Sequence, residues 1–330
     1  MKYEQATTEQ RVGQTSPDGA PLAPNPTRQK YGLQRQHLPK PWYQAMKYGS
    51  VCSGVEAATL AWHGLGWQPQ FFSEIEPFCC RLLQHRFPSV PNLGDLTKFK
   101  DWSDDIKLDL LVGGTPCQAF SVAGLRQGLA DPRGNLALVF LGLLDKYRPR
   151  WVVWENVPGV LSSSGGRDFG AFLGALAELG YGFCYRVLDA QYFGVPQRRR
   201  RVFVVGYLGD WRRAAAVLFE RENKGLASEQ GENKAESVTA FTPSSFGQWR
   251  RGVGTVRSNA GTPQTDLIVS NQTVRRVTPL ETERLQGMPD DWTLIPGAKD
   301  APRYKAIGNS MAVPVMRWIG EGIAAVEALQ

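Results

Sequence analysis

The chain has 330 residues, enough for one large α/β domain and a smaller one, and its net charge is +7. No apolar run approaches the roughly 18 residues that cross a membrane, and the N-terminus lacks the apolar core of a secretory signal, so we expect neither a membrane protein nor a secreted one. Five cysteines without a CxxC pair, and only three histidines, argue against a disulfide scaffold or a zinc site and favour a reducing cytoplasm.

The positive charge is concentrated in two stretches of the chain. Residues 1–47 carry seven Lys and Arg against three Asp and Glu, and residues 210–276 carry ten against seven. A roughly neutral body with basic attachments is typical of nucleic-acid binders, although ordinary solvated surface charge explains the balance equally well. Residues 1–45 contain much Gln, Thr and Pro and few large apolar side chains, so they are predicted to form a flexible basic tail.

From Lys47 onward, short apolar runs alternate with helical patterns. Predicted strands lie near residues 47–52, 69–74, 108–112, 151–154, 183–189 and 202–206, and predicted helices near 55–65, 77–86, 135–147, 168–179 and 312–328. Such alternation indicates a doubly wound, mostly parallel α/β sheet. Residues 237–276 instead contain short β-like runs separated by Gly, Pro and Asn.

One cysteine follows the buried run at residues 108–112, inside a loop of glycine and proline. Gly113 and Gly114 allow a tight turn, and Pro116 stiffens the backbone beside Cys117. A thiol at the carboxyl end of a strand lies where α/β sheets bind their ligands. Taken alone, Cys117 is more readily explained as an inert core residue, because most free cysteines are buried and unreactive.

The other motifs of the chain change that interpretation. They are YGSVCSGVE (48–56), FSEIE (72–76), LGDL (93–96), PCQ (116–118), WENV (154–157), QRRRR (197–201), LETERLQG (280–287) and AIGNS (306–310). In order and spacing they resemble the cytosine carbon-5 DNA methyltransferase family, in particular its phage and prophage branch. The resemblance covers roughly residues 47–207 and 274–325, and the complete series is far more specific than any one motif.

The resemblance implies a Rossmann-like, doubly wound α/β domain that binds S-adenosyl-L-methionine, with a smaller and mostly β target-recognition domain. It places the catalytic and cofactor-binding domain at residues 46–207, the target-recognition domain at 208–300, and at 301–330 a C-terminal helix that returns to the catalytic domain. The implied reaction is methyl transfer to carbon 5 of a cytosine in double-stranded DNA. We therefore expect a monomer in the cytoplasm of a bacterial or phage-infected cell, with DNA as partner and no membrane or metal.

The cofactor site is predicted at the ends of the first strands. Glu74 ends the second strand about 20 residues beyond the first turn, where a carboxylate can accept hydrogen bonds from ribose hydroxyls, although it can also be a plain surface acid. Asp95 can accept a hydrogen bond from an adenine amino group. The resemblance assigns to the cofactor Cys52, Ser53, Gly54, Glu74, Ile75, Asp95, Leu96, Pro116, Leu136, Asn309 and Ser310.

The first motif departs from the family pattern. That pattern begins with an acidic residue, continues with an aromatic residue two positions on, and later has a glycine pair; here the positions hold Ser50, Cys52, and Glu56 with Ala57. The aromatic face that would pack near the adenine is therefore missing. Glu56 is expected instead to cap the following helix, because the helix dipole favours a carboxylate at that end.

The resemblance implies covalent catalysis, because carbon 5 of cytosine is a poor nucleophile. A thiolate that adds at carbon 6 makes carbon 5 enamine-like, and Cys117 is the predicted nucleophile. Glu155 follows the buried run at residues 151–154, so it should reach the same edge of the sheet. A buried carboxylic acid there has a raised pKa and can protonate or hydrogen-bond ring nitrogen 3. Taken alone, Glu155 would be a surface acid at a strand end.

Four consecutive arginines precede the last predicted strand of the sheet. Because side chains alternate along a strand, Arg199 and Arg201 should share one face. The family pattern places Arg201 at the cytosine carbonyl oxygen and Arg199 at the active-site loop or a phosphate, so both are predicted catalytic residues. Arg198 and Arg200 are expected to face solvent or the DNA backbone. The alternative for the whole run is a solvated phosphate-binding patch.

A cytosine inside a duplex is out of reach of a thiol at a strand end, so it must be flipped out at a cost of a few kcal/mol. The loop from Gln118 through Ser121 to Arg133 is the predicted lid over the flipped base. Target recognition is predicted in residues 208–274, where the resemblance places the recognition region. The predicted DNA-binding residues are Gln118, Ser121, Arg198, Arg250, Arg251, Arg257 and Asn259, although those within 208–274 are also explained as phosphate contacts or plain surface.

Three other functions compete with this one. A catalytically silent DNA-binding member of the family is disfavoured by the intact Cys117, Glu155, Arg201 and Asn309. An RNA cytosine methyltransferase of the transfer-RNA branch is disfavoured by the phage-like first motif. A nicotinamide dehydrogenase is excluded because the chain lacks the glycine fingerprint of a dinucleotide-binding turn.

Overall fold

A computed structural model describes residues 45–115, 136–219, 239–243, 249–251, 267–270 and 273–329, and all of them belong to one unit that spans residues 43–330. These residues form a six-stranded sheet and a four-stranded sheet. The first contains β1 (Lys47–Val51), β2 (Gln68–Ser73), β3 (Leu110–Gly113), β4 (Trp151–Asn156), β5 (Tyr181–Asp189) and β6 (Arg200–Leu208). The second contains β7 (Thr239–Pro243), β8 (Trp249–Arg251), β9 (Leu267–Ser270) and β10 (Thr273–Arg276).

Several helices begin or end at residues that helix-capping chemistry favours. The α-helices in the described ranges are α1 (Ala57–Trp62), α2 (Pro77–Arg86), α3 (Leu136–Tyr147), α4 (Arg167–Glu178), α5 (Trp211–Leu218), α6 (Pro279–Leu285), α7 (Asp300–Asn309) and α8 (Val313–Glu327). Pro77 is the first residue of α2, a position at which proline is favoured, and the side chain of Glu76 caps the helix. Gly180, with φ of 84°, follows the end of α4 in the left-handed conformation that glycine favours at this position.

The six-stranded sheet has the order β2-β1-β3-β4-β6-β5, which confirms the predicted doubly wound α/β fold. Strands β2, β1, β3 and β4 pair in parallel, whereas β6 runs antiparallel to both β4 and β5. The connection from β5 to β6 is too short for a parallel crossover, which needs about a dozen residues or more. The parallel strands place their carboxyl ends at one edge, and the strand order reverses between β1 and β3, where such sheets bind ligands.

The sheet is buried on both faces. Side chains alternate along each strand, so Leu110 and Val112 of β3 face one core while Leu111 faces the other. The first core contains residues of α1, α2, α5, α7 and α8, and the second contains residues of α3 and α4. Helix α8 is anchored at its end by Glu327, which accepts hydrogen bonds from Trp151 Nε1 at 2.9 Å and Arg150 Nη1 at 2.7 Å. The C-terminal helix therefore packs on the main sheet.

Three strands are longer than predicted, and one of them is β4, which continues through Glu155 and Asn156 because both pair with β6. Strand β6 includes Arg200 and Arg201, because both pair with the ends of β5 through the backbone, whatever their side-chain polarity. Strand β5 begins at Tyr181, because Gly182 lets the strand approach α5 closely: a Cβ atom at Gly182 would lie 2.1 Å from Trp211 N. Strand β3 is displaced by one to two residues and ends at Gly113.

The four-stranded sheet has the order β10-β9-β7-β8, and all its neighbouring strands are antiparallel. It accounts for the short β-like runs predicted in residues 237–276. Helix α5 packs on β5 and β6, and Leu285, Met288 and Ile295 belong to the core of the large sheet. The division of the chain into domains at 207/208 and 300/301 stays a prediction.

Candidate active site

A cavity of about 630 Å³ opens at the edge of the sheet where β1, β2, β3 and β4 end. Its volume lies within the range of small-molecule sites. Predicted cofactor residues that line it are Cys52, Ser53, Gly54, Glu74, Ile75, Asp95, Leu96, Leu136, Asn309 and Ser310. Glu155, Arg199 and Arg201 line the same cavity. The fold therefore brings together residues that are widely separated in the sequence.

Glu74 joins the two loops on the β1 and β2 side of the cavity. Its Oε2 accepts a hydrogen bond from Gly54 N at 2.8 Å, and its Oε1 accepts from Ile75 N and Glu76 N, each at 2.8 Å. These backbone donors fix the direction of the carboxylate. A carboxylate oxygen has two acceptor positions, so Oε2 keeps one for a ligand hydroxyl.

Asp95 lies further along the same wall. Its Oδ1 accepts hydrogen bonds from Thr97 N at 2.9 Å and Thr97 Oγ1 at 2.8 Å, which caps the short helix Leu96–Asp101. The backbone hydrogen bond from Thr97 is the main reason that the pKa of Asp95 is lowered, so the group is ionised. Its other oxygen is left to accept from a ligand.

The atypical first motif forms a buried polar network under the cavity. Glu56 has a left-handed backbone, with φ of 60°, and caps α1 by accepting from Thr59 N at 3.1 Å, which confirms the predicted cap. The hydroxyls of Ser50 and Thr59 also donate to its carboxylate, and the hydroxyl of Tyr48 lies 2.6 Å from that of Thr59. Burial raises the pKa of Glu56. The network holds the loop between β1 and α1.

Glu155 is the candidate acid of the site. It is 8% exposed near the end of β4, and its Oε1 lies 3.1 Å from Arg201 Nε, an ion pair without the angle of a hydrogen bond. Burial raises the pKa of the Glu155 carboxyl, and the charges of Arg199 and Arg201 oppose that rise. A carboxyl that keeps its proton closer to neutrality is suited to general acid catalysis.

The four-arginine run divides as its alternation predicts. Arg199 is 2% exposed and Arg201 is partly buried, whereas Arg198 and Arg200 are exposed. Arg199 Nη2 donates to Gly308 O at 3.0 Å and to Ser310 O at 2.6 Å. The inward arginines therefore reach two different walls of the cavity, because Arg201 contacts Glu155 and Arg199 contacts the end of α7.

Sequence reasoning missed the residues that hold the start of the Cys117 loop. Asn156 Nδ2 donates to Thr115 O at 3.0 Å, and Trp154 Nε1 donates to Thr115 Oγ1 at 2.9 Å. Gly114 packs against the acid, since a Cβ atom there would lie 3.1 Å from Glu155 Oε2. The only sequence signal was Asn156 itself, which follows Glu155 in the WENV motif.

Several predicted residues lie outside the described ranges: Pro116, Cys117, Gln118, Ser121, Arg257 and Asn259. Arg250 and Arg251 belong to β8, which is described by its backbone pairing. The remaining thiols can be compared with the predicted nucleophile. Burial, together with Glu74, raises the pKa of Cys52 to about 12, and burial is the main cause that raises the pKa of Cys79, Cys80 and Cys184. None of these four is activated as a thiolate.

The charged groups of the described ranges do not assemble a metal site, since no three His, Cys, Asp or Glu side chains there are grouped to hold an ion. The helices within those ranges are likewise too short or too polar to span a membrane.

Comparison with known proteins gives consistent results. The profile of the family described as C-5 cytosine-specific DNA methylase matches residues 46–245 and 220–325. Type II methyltransferase M2.BsuMI of Bacillus subtilis (strain 168) is 31% identical over 84% of this chain and 75% of its own length, and M.SsoII of Shigella sonnei is 31% identical over 77% and 73%.

A relative from Escherichia phage P1, named DNA N-6-adenine-methyltransferase, is 35% identical over 84% of this chain, which spans 61% of that relative's length. Among solved structures, Dnmt2 of S. pombe has a TM-score of 0.62 at 18% identity, covering 83% of this chain and 96% of its own. A mutant DNMT2 of Spodoptera frugiperda has a TM-score of 0.61 at 17% identity, covering 84% and 99%. At this identity the structures show a shared fold.

Proposed function

Because the chain belongs to the C-5 cytosine-specific DNA methylase family, we propose that it transfers a methyl group from S-adenosyl-L-methionine to carbon 5 of a flipped cytosine in double-stranded DNA. The observation that carries the proposal is the meeting of Glu155, Arg201 and Gly114 at one wall of the cavity. A buried acid, a guanidinium beside it and the strand end that leads to Cys117 are the groups that activation of a cytosine ring requires.

The residues of the cavity fit S-adenosylmethionine. Glu74 keeps an acceptor position for a ribose hydroxyl, and Asp95 keeps one carboxylate oxygen for an adenine amino group. Ile75 is 69% exposed at the cavity, so its side chain offers an apolar surface to the adenine. Cys52, whose raised pKa keeps its thiol neutral, takes the place of the usual aromatic residue. When bound, the cofactor supplies an electrophilic methyl group on a sulfonium.

The chain's own groups would act on the base in a defined order. The Cys117 thiolate adds to carbon 6, and Glu155 donates its proton to ring nitrogen 3, so that the electron pair of the carbon 5–carbon 6 double bond becomes available at carbon 5. Arg201 binds the carbonyl oxygen at carbon 2 and stabilises charge there. After carbon 5 is methylated it loses its proton to a water molecule, and the Cys117–carbon 6 bond breaks to return the thiolate. Ring nitrogen 3 gives its proton back to the Glu155 carboxylate, so both groups are restored.

DNA recognition is proposed for residues 208–274, which contain strands β7, β8 and β9 of the antiparallel sheet and the first half of β10. A short β-sheet can enter a groove and present side chains to base edges. Arg250, Arg251, Arg257 and Asn259 are the proposed contacts, and the exposed Arg198 is proposed to contact a phosphate.

The name of the phage P1 relative raises adenine as a second substrate. The chain spans only 61% of that relative, so the named activity does not transfer with the match. The site also favours cytosine, because an exocyclic amino group is itself a nucleophile and needs no attack on the ring by a thiolate beside a buried acid.

The deciding experiment incubates the full chain with unmethylated duplex DNA and S-adenosylmethionine, then digests the DNA to nucleosides for mass spectrometry. We expect 5-methylcytosine and no N6-methyladenine. Transfer-RNA transcripts in a parallel reaction test the RNA alternative. DNA that binds without gaining any methyl group would identify a silent DNA-binding protein.

A further inference from the structure

The carbonyl groups at the end of α7 are held by side chains from two distant segments. Gln286 Nε2 donates to Ile307 O at 2.9 Å, and Arg199 Nη2 donates to Gly308 O and Ser310 O at 3.0 and 2.6 Å. A helix leaves its last carbonyls without intrahelical donors, and a cation is favoured beside them. Gln286 is fully buried and Arg199 is 2% exposed, so water does not replace these donors easily.

The segment held in this way forms one wall of the cavity. Gly308, Asn309 and Ser310 line it and include the two residues assigned to the cofactor in this part of the chain. Arg199 lines the same cavity and acts electrostatically on Glu155. Arg199 therefore borders the cavity together with the cofactor wall and the acid.

We propose that Arg199 is a positioning residue that holds the Gly308–Ser310 segment in the cavity it shares with Glu155, so that one buried side chain serves both the cofactor wall and the acid. This inference rests on the proposed function and assigns a role within the same site. Gln286 also holds the end of α7, but it is neutral and therefore does not affect the charge around Glu155.

The electrostatics of Glu155 support this division. Burial raises its pKa, whereas Arg199 and Arg201 lower it, and these are the charged groups of the described residues that act on it. On the β3 side it meets Gly114, which carries no charge. Removal of the Arg199 charge therefore raises the pKa of Glu155, and the carboxyl keeps its proton to higher pH. Removal of the Gln286 amide leaves that pKa unchanged.

The test compares Arg199→Met, Arg199→Lys and Gln286→Met in the full chain. Calorimetry measures S-adenosylmethionine binding, and single-turnover methylation is followed against pH. Loss of buried hydrogen bonds in Arg199→Met and Gln286→Met should weaken cofactor binding by about tenfold or more. Only Arg199→Met should also move the high-pH decline of the methylation rate to higher pH. Arg199→Lys keeps the charge, so its limb should stay near that of the wild type while binding weakens.

Hydrogen exchange of residues 306–311 gives a readout that does not depend on activity, and both Met variants should exchange faster there. If Arg199→Met keeps the cofactor affinity and the hydrogen exchange of the wild type, Arg199 does not hold the end of α7 in the way proposed. An unmoved pH limb in that variant would overturn the link to Glu155. If Arg199→Met fails to fold, Arg199→Gln takes its place for both points, because glutamine removes the charge but keeps a polar amide at the buried position. Its high-pH decline should then move to higher pH, and a decline that stays at the wild-type position would overturn the link to Glu155. A wild-type chain that binds no cofactor would instead refute the proposed function.

Discussion

Arg201 Nε lies 3.1 Å from Glu155 Oε1 at the wall of the cavity, with both side chains largely removed from solvent. Burial raises the pKa of Glu155 while this guanidinium and Arg199 lower it. The acid is therefore neither an ordinary surface carboxylate nor a permanently protonated one. Its proton is present below the raised pKa and is lost as the pH rises through it.

Glu155→Gln should slow single-turnover methylation by roughly a hundredfold or more, because an amide keeps the shape of the acid but cannot deliver a proton. Cofactor binding should change little. The wild-type rate should fall as the pH rises through the pKa of Glu155, and the variant should lose that descending limb. A variant that keeps the wild-type rate would leave Glu155 with a structural role only.

Cys117→Ser should abolish methyl transfer while cofactor and DNA binding persist, because only the thiolate attack is lost. It should also abolish covalent trapping on duplex DNA that contains 5-fluorocytosine, seen as a shifted band on a denaturing gel. Cys184→Ser is the matched control, since that thiol lies on β5 and its raised pKa keeps it protonated. Trapping that survives in Cys117→Ser would assign the nucleophile to another cysteine.

Gly114→Ala should lower the methylation rate by about tenfold, because the new Cβ would lie 3.1 Å from Glu155 Oε2 and 3.2 Å from Met311 Cε. Gly170→Ala is the control, since a Cβ at this exposed position of helix α4 meets nothing within 4 Å. That control should keep full activity and gain about 0.5–1 kcal/mol of stability. Equal rates in the two variants would show that the approach of Gly114 to the acid has no catalytic consequence.

Glu281→Gln should destabilise the protein near neutral pH by less than about 1 kcal/mol, because glutamine can still complete the capping box of α6 but removes a charge that is partly exposed to solvent. The carboxylate accepts a hydrogen bond from Thr278 N at 2.8 Å. It also accepts two hydrogen bonds from Arg275, at 2.7 and 2.8 Å, and these are the main reason that the pKa of Glu281 is lowered to about 2. A lowered pKa adds stability that is present above the ordinary value and is lost as the pH falls toward 2. Thermal unfolding of variant and wild type should therefore converge in acid, and a difference that is constant with pH would contradict this account.

Replacement of residues 208–274 by the matching region of a related enzyme should change which cytosines are methylated without loss of activity. The catalytic groups lie outside this segment, and base-edge contacts of the kind proposed for Arg257 and Asn259 carry about 1–3 kcal/mol of discrimination each. Bisulfite sequencing of treated DNA reads the new sites. An active chimera that methylates the original sequence would place specificity in the catalytic domain.

Much of the fold follows from local patterns in the chain. The buried run at residues 151–154 predicts β4 because continuous apolar residues are typical of a strand covered on both faces. Pro77 and Gly180 mark the ends of helices through their own backbone preferences. Strand ends were less predictable, since backbone pairing extended β6 over Arg200 and Arg201 regardless of their charge.

By itself, the sequence determined the order of motifs, the identity of the strands and helices, the cap at Glu56 and the inward face shared by Arg199 and Arg201. These properties depend on neighbours within a few residues, where periodicity and capping act. Only the tertiary structure decided that Arg199 binds Gly308 and Ser310, which are 109 and 111 residues away, or that Asn156 and Trp154 hold Thr115. A donor side chain can donate to any acceptor of suitable geometry, so its partner is determined by the packing of the sheet and α7 and not by its own position in the chain.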